Sequence, residues 1–354
     1  MTLSAPLIAT AVAATLATAG PINPPAGPVA PTGKTTDQIE PRIPLNQETT
    51  AGDSAAVFVI TRPGSYYLTG VLQADAGRSG VRIESDNVTL DMMGYSILGT
   101  PTSPNGIDIA DPEFGLLEGL HVRNGHIAGF AETGLDGRSR ASVGTLTDIT
   151  SSNNGEDGIG VNSGFVMTRC IAEDNDRFGF NVNRDCILVD CIARSNSDDG
   201  FNVNFINRLD RCHSVLSGGD GFSAGRANRL TNCYAQSNGT AGFRLTVDDC
   251  VLIACSAYQN RADFGTTVAG FLVNTNSGEN RGRHTLIDCV ATENDNGFDV
   301  NSTGNFLRGC RATDNVLNNT LAVINFSVIA GNVAPVVTGG SVTASTSAIA
   351  NISQ

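Results

Sequence analysis

The 354-residue sequence has no tryptophan and only four histidines, and its 35 acidic residues outnumber its 22 basic ones. The formal net charge of −13 argues against duplex nucleic acid or an anionic membrane as a partner, because the field of the chain repels phosphate. A polyanionic ligand would need local arginines or bridging cations. After residue 19 no stretch reaches the roughly 18 apolar residues of a transmembrane helix, which predicts a chain without a membrane span.

Motifs with a recognisable catalytic spacing are also missing. The histidines, at positions 121, 126, 213 and 284, are widely spread and form no H-x-x-x-H or similar metal-binding pattern. The sequence contains no recognisable catalytic triad, glycine-rich phosphate loop or zinc motif. Local motifs therefore leave the catalytic residues unknown.

The N-terminal segment resembles an export signal. Residues 1–19 are uncharged and rich in alanine, and they end in Ala17-Thr18-Ala19, which fits an A-x-A cleavage site. No Lys or Arg precedes the apolar run, so a buried helix is the alternative interpretation. Residues 20–50, with five prolines between Pro21 and Gly33, are predicted to form a linker and N-terminal extension. We expect a secreted protein that is extracellular or attached to the cell surface.

What the sequence has in abundance is glycine, with 40 residues, and a repeat of 21 residues. The repeated glycines are followed each time by a large apolar residue, and a fixed period of this kind is typical of a stacked array. The glycines are Gly158, Gly179, Gly200, Gly221 and Gly242, followed at longer intervals by Gly270 and Gly297. The residues after them are Ile159, Phe180, Phe201, Phe222, Phe243, Phe271 and Phe298. We therefore predict a continuous inward stack of phenylalanines.

Two further residue types repeat in the same register. The cysteines are Cys170, Cys191, Cys212, Cys233, Cys255, Cys289 and Cys310. The asparagines five residues later are Asn175, Asn196, Asn238, Asn260, Asn294 and Asn315. We interpret the cysteines as buried free thiols, because stacked coils give parallel Cβ vectors that suit a disulfide poorly. The asparagines predict a ladder of amide hydrogen bonds at a turn.

A 21-residue repeat is too short for two packed helices, and Phe-Asn-Val-Asn at 180–183 and 201–204 alternates with period two. We therefore predict an all-β solenoid in which each coil has three short strands and three turns. Successive coils would lie about 4.8 Å apart.

A family resemblance is carried by four motifs together: Gly-Phe-x-Val-Asn, Cys-x-Ala-x-x-Asn, the segment ITRPGSYYLTG at 60–70 and the segment DNVTLD at 86–91. Over about residues 20–315 the chain resembles secreted bacterial parallel β-helix repeat proteins of the pectate-lyase-like superfamily. The resemblance implies a single-stranded right-handed parallel β-helix over residues 51–315, and a function among lyases, hydrolases, epimerases and adhesins. The Gly-His-Gly and Arg-Ile-Lys elements of polygalacturonases and the Asp-Pro-His signature of alginate epimerases are missing.

Carboxylates cluster before the repeat glycines, and coil stacking would make Asp199 and Asp220 immediate neighbours, with Asp198 beside them. Two carboxylates about 4.8 Å apart repel each other unless a cation or a raised pKa neutralises them. Calcium is the cofactor that this arrangement suggests. A solvated acidic turn is the alternative.

Candidate substrate-binding residues lie in two places. Asn181, Asn202 and Arg244 follow the repeated phenylalanines and should point outward, where amides suit sugar hydroxyls and an arginine suits a uronate. Two long rungs insert residues at 261–269 and 276–284, and the second insertion contains Arg281, Arg283 and His284. Insertions in solenoids often form the binding face, so we expect a groove there. A charged loop without function is the alternative.

These observations predict an extracellular protein that interacts with a polysaccharide or a cell-surface glycan. As an enzyme it would be a polysaccharide lyase or epimerase acting on acidic polysaccharide, and the alternative is a non-catalytic structural or adhesion protein. Because the net charge opposes a polyanion, we expect acidic polysaccharide binding to require divalent cations. Residues 316–354 contain no charged side chain and are predicted to cap the last coil or to attach to a partner. We expect a monomer, with self-association through this segment as the alternative.

Overall fold

The computed structural model describes residues 42–110, 116–138, 142–261, 268–274, 282–315 and 326–328. Within these ranges the secondary structure consists of β-strands and turns, without a helix. The named strands pair in parallel and build the predicted single-stranded right-handed parallel β-helix. The coil repeat is 21 residues where Phe180 pairs with Phe201 and Phe201 with Phe222, which confirms the predicted period.

Sheet 1 contains one strand from each of twelve coils. Its strands are Ala56–Ile60, Ser79–Ile83, Ile107–Ile109, Leu135–Gly137, Ile159–Ser163, Phe180–Arg184, Phe201–Phe205, Phe222–Arg226, Phe243–Leu245, Ala269–Val273, Asn296–Val300 and Phe326–Val328. Alternate residues of each strand face the interior and the solvent, as the period of two requires.

Sheets 2 and 3 complete each coil, and two long strands, Leu117–Ala128 and Ser142–Ser152, run through both sheets. The other strands of sheet 2 are Ile43–Pro44, Gly64–Tyr67, Val88–Asp91, Phe165–Thr168, Ile187–Val189, Arg208–Asp210, Arg229–Thr231, Val251–Ile253, Thr285–Ile287 and Phe306–Arg308. The other strands of sheet 3 are Leu72–Gln73, Ser96–Leu98, Ile171–Glu173, Ile192–Arg194, His213–Val215, Tyr234–Gln236, Ser256–Tyr258, Val290–Thr292 and Arg311–Thr313.

The interior is organised as lanes of identical side chains. Seven phenylalanine rings, from Phe180 to Phe326, stack with centroids 4.6 to 5.0 Å apart and planes within 6° of parallel. The predicted phenylalanine stack is confirmed. All nine cysteines are buried free thiols, in agreement with their interpretation as apolar filler.

The asparagine ladder lies at the corner between sheets 3 and 1. Asn175 Nδ2 donates to Asn196 Oδ1 at 2.9 Å, and Asn238 Nδ2 donates to Asn260 Oδ1 at the same distance. In the Cys212 coil, where the ladder residue is Ser217, the backbone N–H of Ser217 still donates to Asn238 Oδ1 at 3.1 Å. The ladder thus satisfies polar groups that the tight corner would leave unpaired.

Most corners between sheets 2 and 3 contain one residue in the left-handed backbone region, for example Asp190 with φ 54° and Arg211 with φ 50°. Charges alternate along this corner: Arg169 pairs with Asp148 and Arg211 pairs with Asp190, each at 2.7 Å. The predicted signal peptide, the linker up to residue 41 and most of the predicted cap lie outside the described residues. Within 316–354 only Phe326–Val328 is described, and it adds the last strand of sheet 1.

Candidate functional site

The outer face of sheet 1 carries a continuous column of mostly polar side chains. In register from coil to coil these residues are Arg82, Asp108, Asp136, Gly160, Asn181, Asn202, Ser223, Arg244, Leu272 and Asp299. Each lies next in sequence to a residue that packs into the core, so its side chain points away from the interior. Asn181, Asn202 and Arg244 therefore lie in one line, as their spacing predicted.

An acidic cluster lies beside the middle of this column, where the corner between sheets 3 and 1 leads into sheet 1. The buried Asp220 carboxylate accepts hydrogen bonds from the Thr240 hydroxyl, the Ala241 N–H at 2.8 Å and the Arg244 guanidinium. Asp199, one coil earlier, accepts the backbone N–H of Asp220 at 2.7 Å. Three donors, one of them the Arg244 guanidinium, stabilise the Asp220 carboxylate, whereas Asp199 accepts one backbone N–H.

Because few groups stabilise the charge of Asp199, the pKa of its carboxyl is raised. Burial, followed by the neighbouring negative charge of Asp220, raises the pKa of Asp199 to about 7, although Arg244 opposes the shift. The carboxyl therefore changes charge near neutral pH. This is the range in which a carboxyl can act as an acid and as a base.

Asp198 and Asp199 converge over Gly219 of the next coil. A Cβ placed on Gly219 would lie 2.5 Å from Asp199 Oδ1 and 2.8 Å from Asp198 Oδ1, so this position has room only for glycine. Asp198 is exposed and Asp199 is half-buried. The two oxygens line a small open cradle that a side chain at residue 219 would fill.

A second polar cluster surrounds Arg138, farther toward the N-terminus. Its guanidinium contacts the buried Asp157 at 2.7 Å, Asp136 at 2.9 Å and Glu156 at 3.5 Å. Asn181 Nδ2 donates to Asp157 Oδ2 at 2.8 Å. The structure therefore places Asn181, a predicted ligand-binding residue, in an internal hydrogen-bond network.

Asp108 belongs to the same surface and was missed by the sequence interpretation. Burial, together with the negative charge of Asp136 in the next coil, raises the pKa of Asp108 to about 6. The intervals from Ile107 to Leu135 and from Leu135 to Ile159 differ from 21 residues. The strict period therefore did not reveal that Asp108 and Asp136 share the column of Asn181.

Arg283 and His284, the two candidates of the second insertion that lie within the described residues, do not join this surface. Arg283 is exposed and pairs with Asp248 at 2.8 Å and Asp249 at 2.7 Å, at the corner between sheets 1 and 2. His284 is buried, and its Nδ1 accepts the backbone N–H of Cys250 at 3.1 Å. A fully buried imidazole cannot contact a surface ligand, so the His284 side chain is not part of the binding surface. Arg281 lies outside the described residues, as do most of the two insertions.

In the described ranges, no three histidine, cysteine or acidic side chains form a ready-made metal cage. No helix in the same ranges is long and apolar enough to cross a membrane.

No protein-family model matches the chain, and no curated protein matches it in sequence. Solved structures do match. The chain is similar to the Dettilon tailspike protein, with a TM-score of 0.58 and 12% identity, over 79% of this chain and 62% of the tailspike chain. It is also similar to the A-module of the mannuronan C-5 epimerase AlgE4 of Azotobacter vinelandii, with a TM-score of 0.55 and 15% identity, over 76% of this chain and 83% of the module.

The chain has the parallel β-helix fold of these structures. The predicted resemblance is confirmed at the level of architecture, because both neighbours match most of the chain at low identity. This parallel β-helix spans only part of the tailspike chain, and fold similarity does not transfer an activity.

Proposed function

We propose that the chain binds an acidic polysaccharide along the outer face of sheet 1, with Asp198, Asp199, Asp220 and Arg244 at the centre of the binding surface. The observation that carries the proposal is the cluster itself: a half-buried carboxyl with a pKa of about 7 lies beside the Asp220–Arg244 ion pair and next to the polar column. The name of the epimerase that shares the fold gives mannuronan as its substrate, which agrees with this ligand class.

Hydrogen-bonding groups on this face are available to a sugar. In the described part of the chain, the side chains of Asn202 and Ser223 make no hydrogen bond, and both lie between Asn181 and Arg244 in the column. An amide and a hydroxyl in line suit the hydroxyls of successive sugar units. Arg244 is half-buried and already bound to Asp220, so a ligand carboxylate would share its remaining N–H donors.

We further propose that a calcium ion assists this binding. The cradle over Gly219 presents one oxygen from Asp198 and one from Asp199, and calcium accepts carboxylate oxygens with water completing six to eight ligands. A uronate carboxylate would replace one of these waters. Since the ion competes with the proton of Asp199, calcium binding should strengthen as the pH rises through about 7.

An enzymatic role rests on the same carboxyl. Lyases and epimerases of acidic sugars must remove a proton beside a carboxylate, which needs a base whose pKa lies near the working pH. Asp199 meets this requirement when no calcium ion is bound to it, and Arg244 could then stabilise the negative charge that develops on the sugar carboxylate. A non-catalytic structural or adhesion protein would use the same surface for binding alone.

The test separates binding from catalysis. Purified protein is incubated with polygalacturonate, polymannuronate and polyguluronate, with calcium or with a chelator. Binding is followed by calorimetry, β-elimination by the ultraviolet absorbance of the unsaturated product, and epimerisation by NMR. We expect calcium to strengthen the binding, and we expect Asp199→Asn and Arg244→Gln to weaken the binding measured in calcium by about tenfold, the scale of one charge-assisted contact.

Asp288→Asn and Arg308→Gln serve as controls, because both remove an exposed charge from another corner or sheet. Binding without any product would favour the adhesion role. Absence of binding to every polyuronate, or equal binding by the Asp199 and Arg244 variants, would refute the proposed surface.

A further inference from the structure

Arg208 and Arg229 form a pair of like charges on the outer face of sheet 2. They occupy the same position of successive strands and are paired in register, so their backbones are about 4.8 Å apart. Both side chains are exposed, and neither makes an ion pair or hydrogen bond to any described residue. Like charges placed directly side by side in a sheet are destabilising. The two arginines are adjacent even though the chain has more acidic than basic residues.

The neighbouring corner shows what the chain does elsewhere. Between sheets 2 and 3, Arg169 pairs with Asp148 and Arg211 pairs with Asp190, so successive coils alternate in sign. In the column of Arg208 and Arg229 the adjacent residues are Ile187 on one side and Val251 on the other. No acidic residue therefore alternates with these two arginines in their own column.

Asp210 lies on the same face of sheet 2, but its carboxylate already has other hydrogen-bond partners. Asp210 accepts a hydrogen bond from the guanidinium of Arg211 and another from Asn232 Nδ2 at 3.3 Å. These contacts turn Asp210 toward the corner. Among the described residues, the guanidinium groups of Arg208 and Arg229 have no partner of opposite charge.

The arginines line an open groove of about 510 Å³ together with Ile187, Asp210 and Thr231. Its volume lies within the range of sites that bind small ligands or oligomer segments. Ile187 and Val166, in successive coils, are 38% and 37% exposed and extend the column as an apolar strip. The groove thus combines two free cationic groups with an apolar wall along the solenoid axis.

We propose that this groove is a second, calcium-independent site for the carboxylates of a polyuronate chain. Each planar guanidinium can bind one carboxylate in a bidentate manner, and two arginines in successive coils suit charged groups repeated along a polymer. The apolar strip would pack against the C–H face of a sugar ring. The ligand class rests on the proposed function, whereas the site lies on a different sheet and needs no bridging cation.

The test uses the full chain and oligogalacturonate in a chelating buffer of low ionic strength, with affinity measured by calorimetry. The native protein should bind, and Arg208→Gln combined with Arg229→Gln should weaken binding by at least about tenfold, as expected for charge-assisted contacts. Added salt should also weaken the native interaction. The matched control is Arg308→Gln combined with Arg311→Gln, which removes two exposed arginines elsewhere and should leave the affinity unchanged.

Several results keep this site distinct from the one on sheet 1. Asp199→Asn should retain binding in chelator, so this measurement tests the sheet 2 site independently of the sheet 1 site. Loss of repulsion means that the Arg208 and Arg229 double variant should melt no lower than the native protein, which excludes misfolding as the cause of weaker binding. The assignment would be overturned if the double variant kept its affinity or if the native protein did not bind in chelator. It would also be overturned if dextran sulfate or a neutral maltooligosaccharide bound as well as oligogalacturonate.

Discussion

The imidazole of His284 accepts the backbone N–H of Cys250 through Nδ1, at 3.1 Å, and so takes the place of an asparagine in a second ladder. At the same corner, between sheets 1 and 2, the N–H of Asn207 donates to Asn228 Oδ1 at 2.8 Å. The backbone N–H of His284 in turn donates to Asn305 Oδ1 at 2.9 Å. A titratable ring therefore carries a hydrogen bond that elsewhere in the solenoid is made by a neutral amide.

Replacement of this ring should reduce the acid sensitivity of the fold. Burial lowers the pKa of His284 to about 4, against the opposing charges of Asp248 and Asp249, so the unfolded chain takes up a proton before the folded chain does. Stability should then fall as the pH drops from about 6.5 to 4, by on the order of 2 kcal/mol from this group. His284→Asn should remove that loss and change stability little at pH 7. Denaturant unfolding at pH 7 and pH 4.5 measures the difference.

The control for this prediction is His213→Asn, which replaces an exposed histidine on sheet 3. It should unfold with the same pH dependence as the native protein. Equal acid sensitivity in the His284 variant would show that other groups dominate this pH range.

The position of His284 could have been read from the sequence, because a ladder residue precedes four of the seven repeated cysteines, Cys212, Cys233, Cys289 and Cys310, by five positions. Asn207, Asn228 and His284 precede Cys212, Cys233 and Cys289 in this way. The insertion in this coil and the adjacent charges favoured an exposed loop instead. The regular lanes of phenylalanine, cysteine and asparagine were predictable because identical side chains stack from coil to coil.

The candidate site was less predictable, for two physical reasons. Asp108 and Asp136 lie in coils of irregular length, so their place in the outer column depends on strand pairing that the sequence period does not show. Arg208 and Arg229 resemble ordinary exposed charges in the sequence. That they have no acidic partner among the described residues emerges only when the positions of the neighbouring acids are known.

The phenylalanine stack should contribute strongly to stability. Phe222 is fully buried, with ring centroids 4.7 Å from Phe201 and 4.8 Å from Phe243. Phe222→Ala should lower the free energy of unfolding by about 3–5 kcal/mol, because it opens a cavity and interrupts the stack. Phe205→Ala, at a ring that is 44% exposed, should cost less than about 1 kcal/mol. Chemical denaturation measures both, and equal costs would contradict the role of the stack.

The asparagine ladder should be sensitive to loss of a single acceptor. Asn196 Oδ1 accepts both the N–H of Asn175, at 3.2 Å, and its side-chain amide, at 2.9 Å. Asn196→Ala leaves these buried donors unpaired and should cost about 1–3 kcal/mol. Asn204→Ala, on the outer face of sheet 1, should change stability by about 0.5 kcal/mol or less. A thermal melt of both variants that shows no difference would argue that the ladder contributes little.

The carboxyl of Asp199 should make the fold less stable in alkaline than in acidic solution. Its pKa of about 7 in the folded protein lies above the ordinary value near 3.9, so the folded chain binds more protons than the unfolded chain between these values. Stability from this group is therefore highest below about pH 4 and is lost progressively until the pH passes about 7. Asp199→Asn keeps the carboxamide shape without the charge. It should raise the melting temperature at pH 8 by roughly 2–4 °C and leave it nearly unchanged at pH 4.

Calcium gives the same prediction a second readout. If Asp198 and Asp199 bind the ion over Gly219, millimolar calcium should raise the melting temperature of the native protein at pH 8 and have less effect at pH 5, where Asp199 is protonated. Asp199→Asn should abolish the calcium response, while Asp288→Asn, at an exposed carboxylate on another corner, should retain it. If Asp199→Asn still responds to calcium, the ion binds elsewhere. If the melting temperature of this variant does not rise at pH 8, the buried charge of Asp199 is not destabilising.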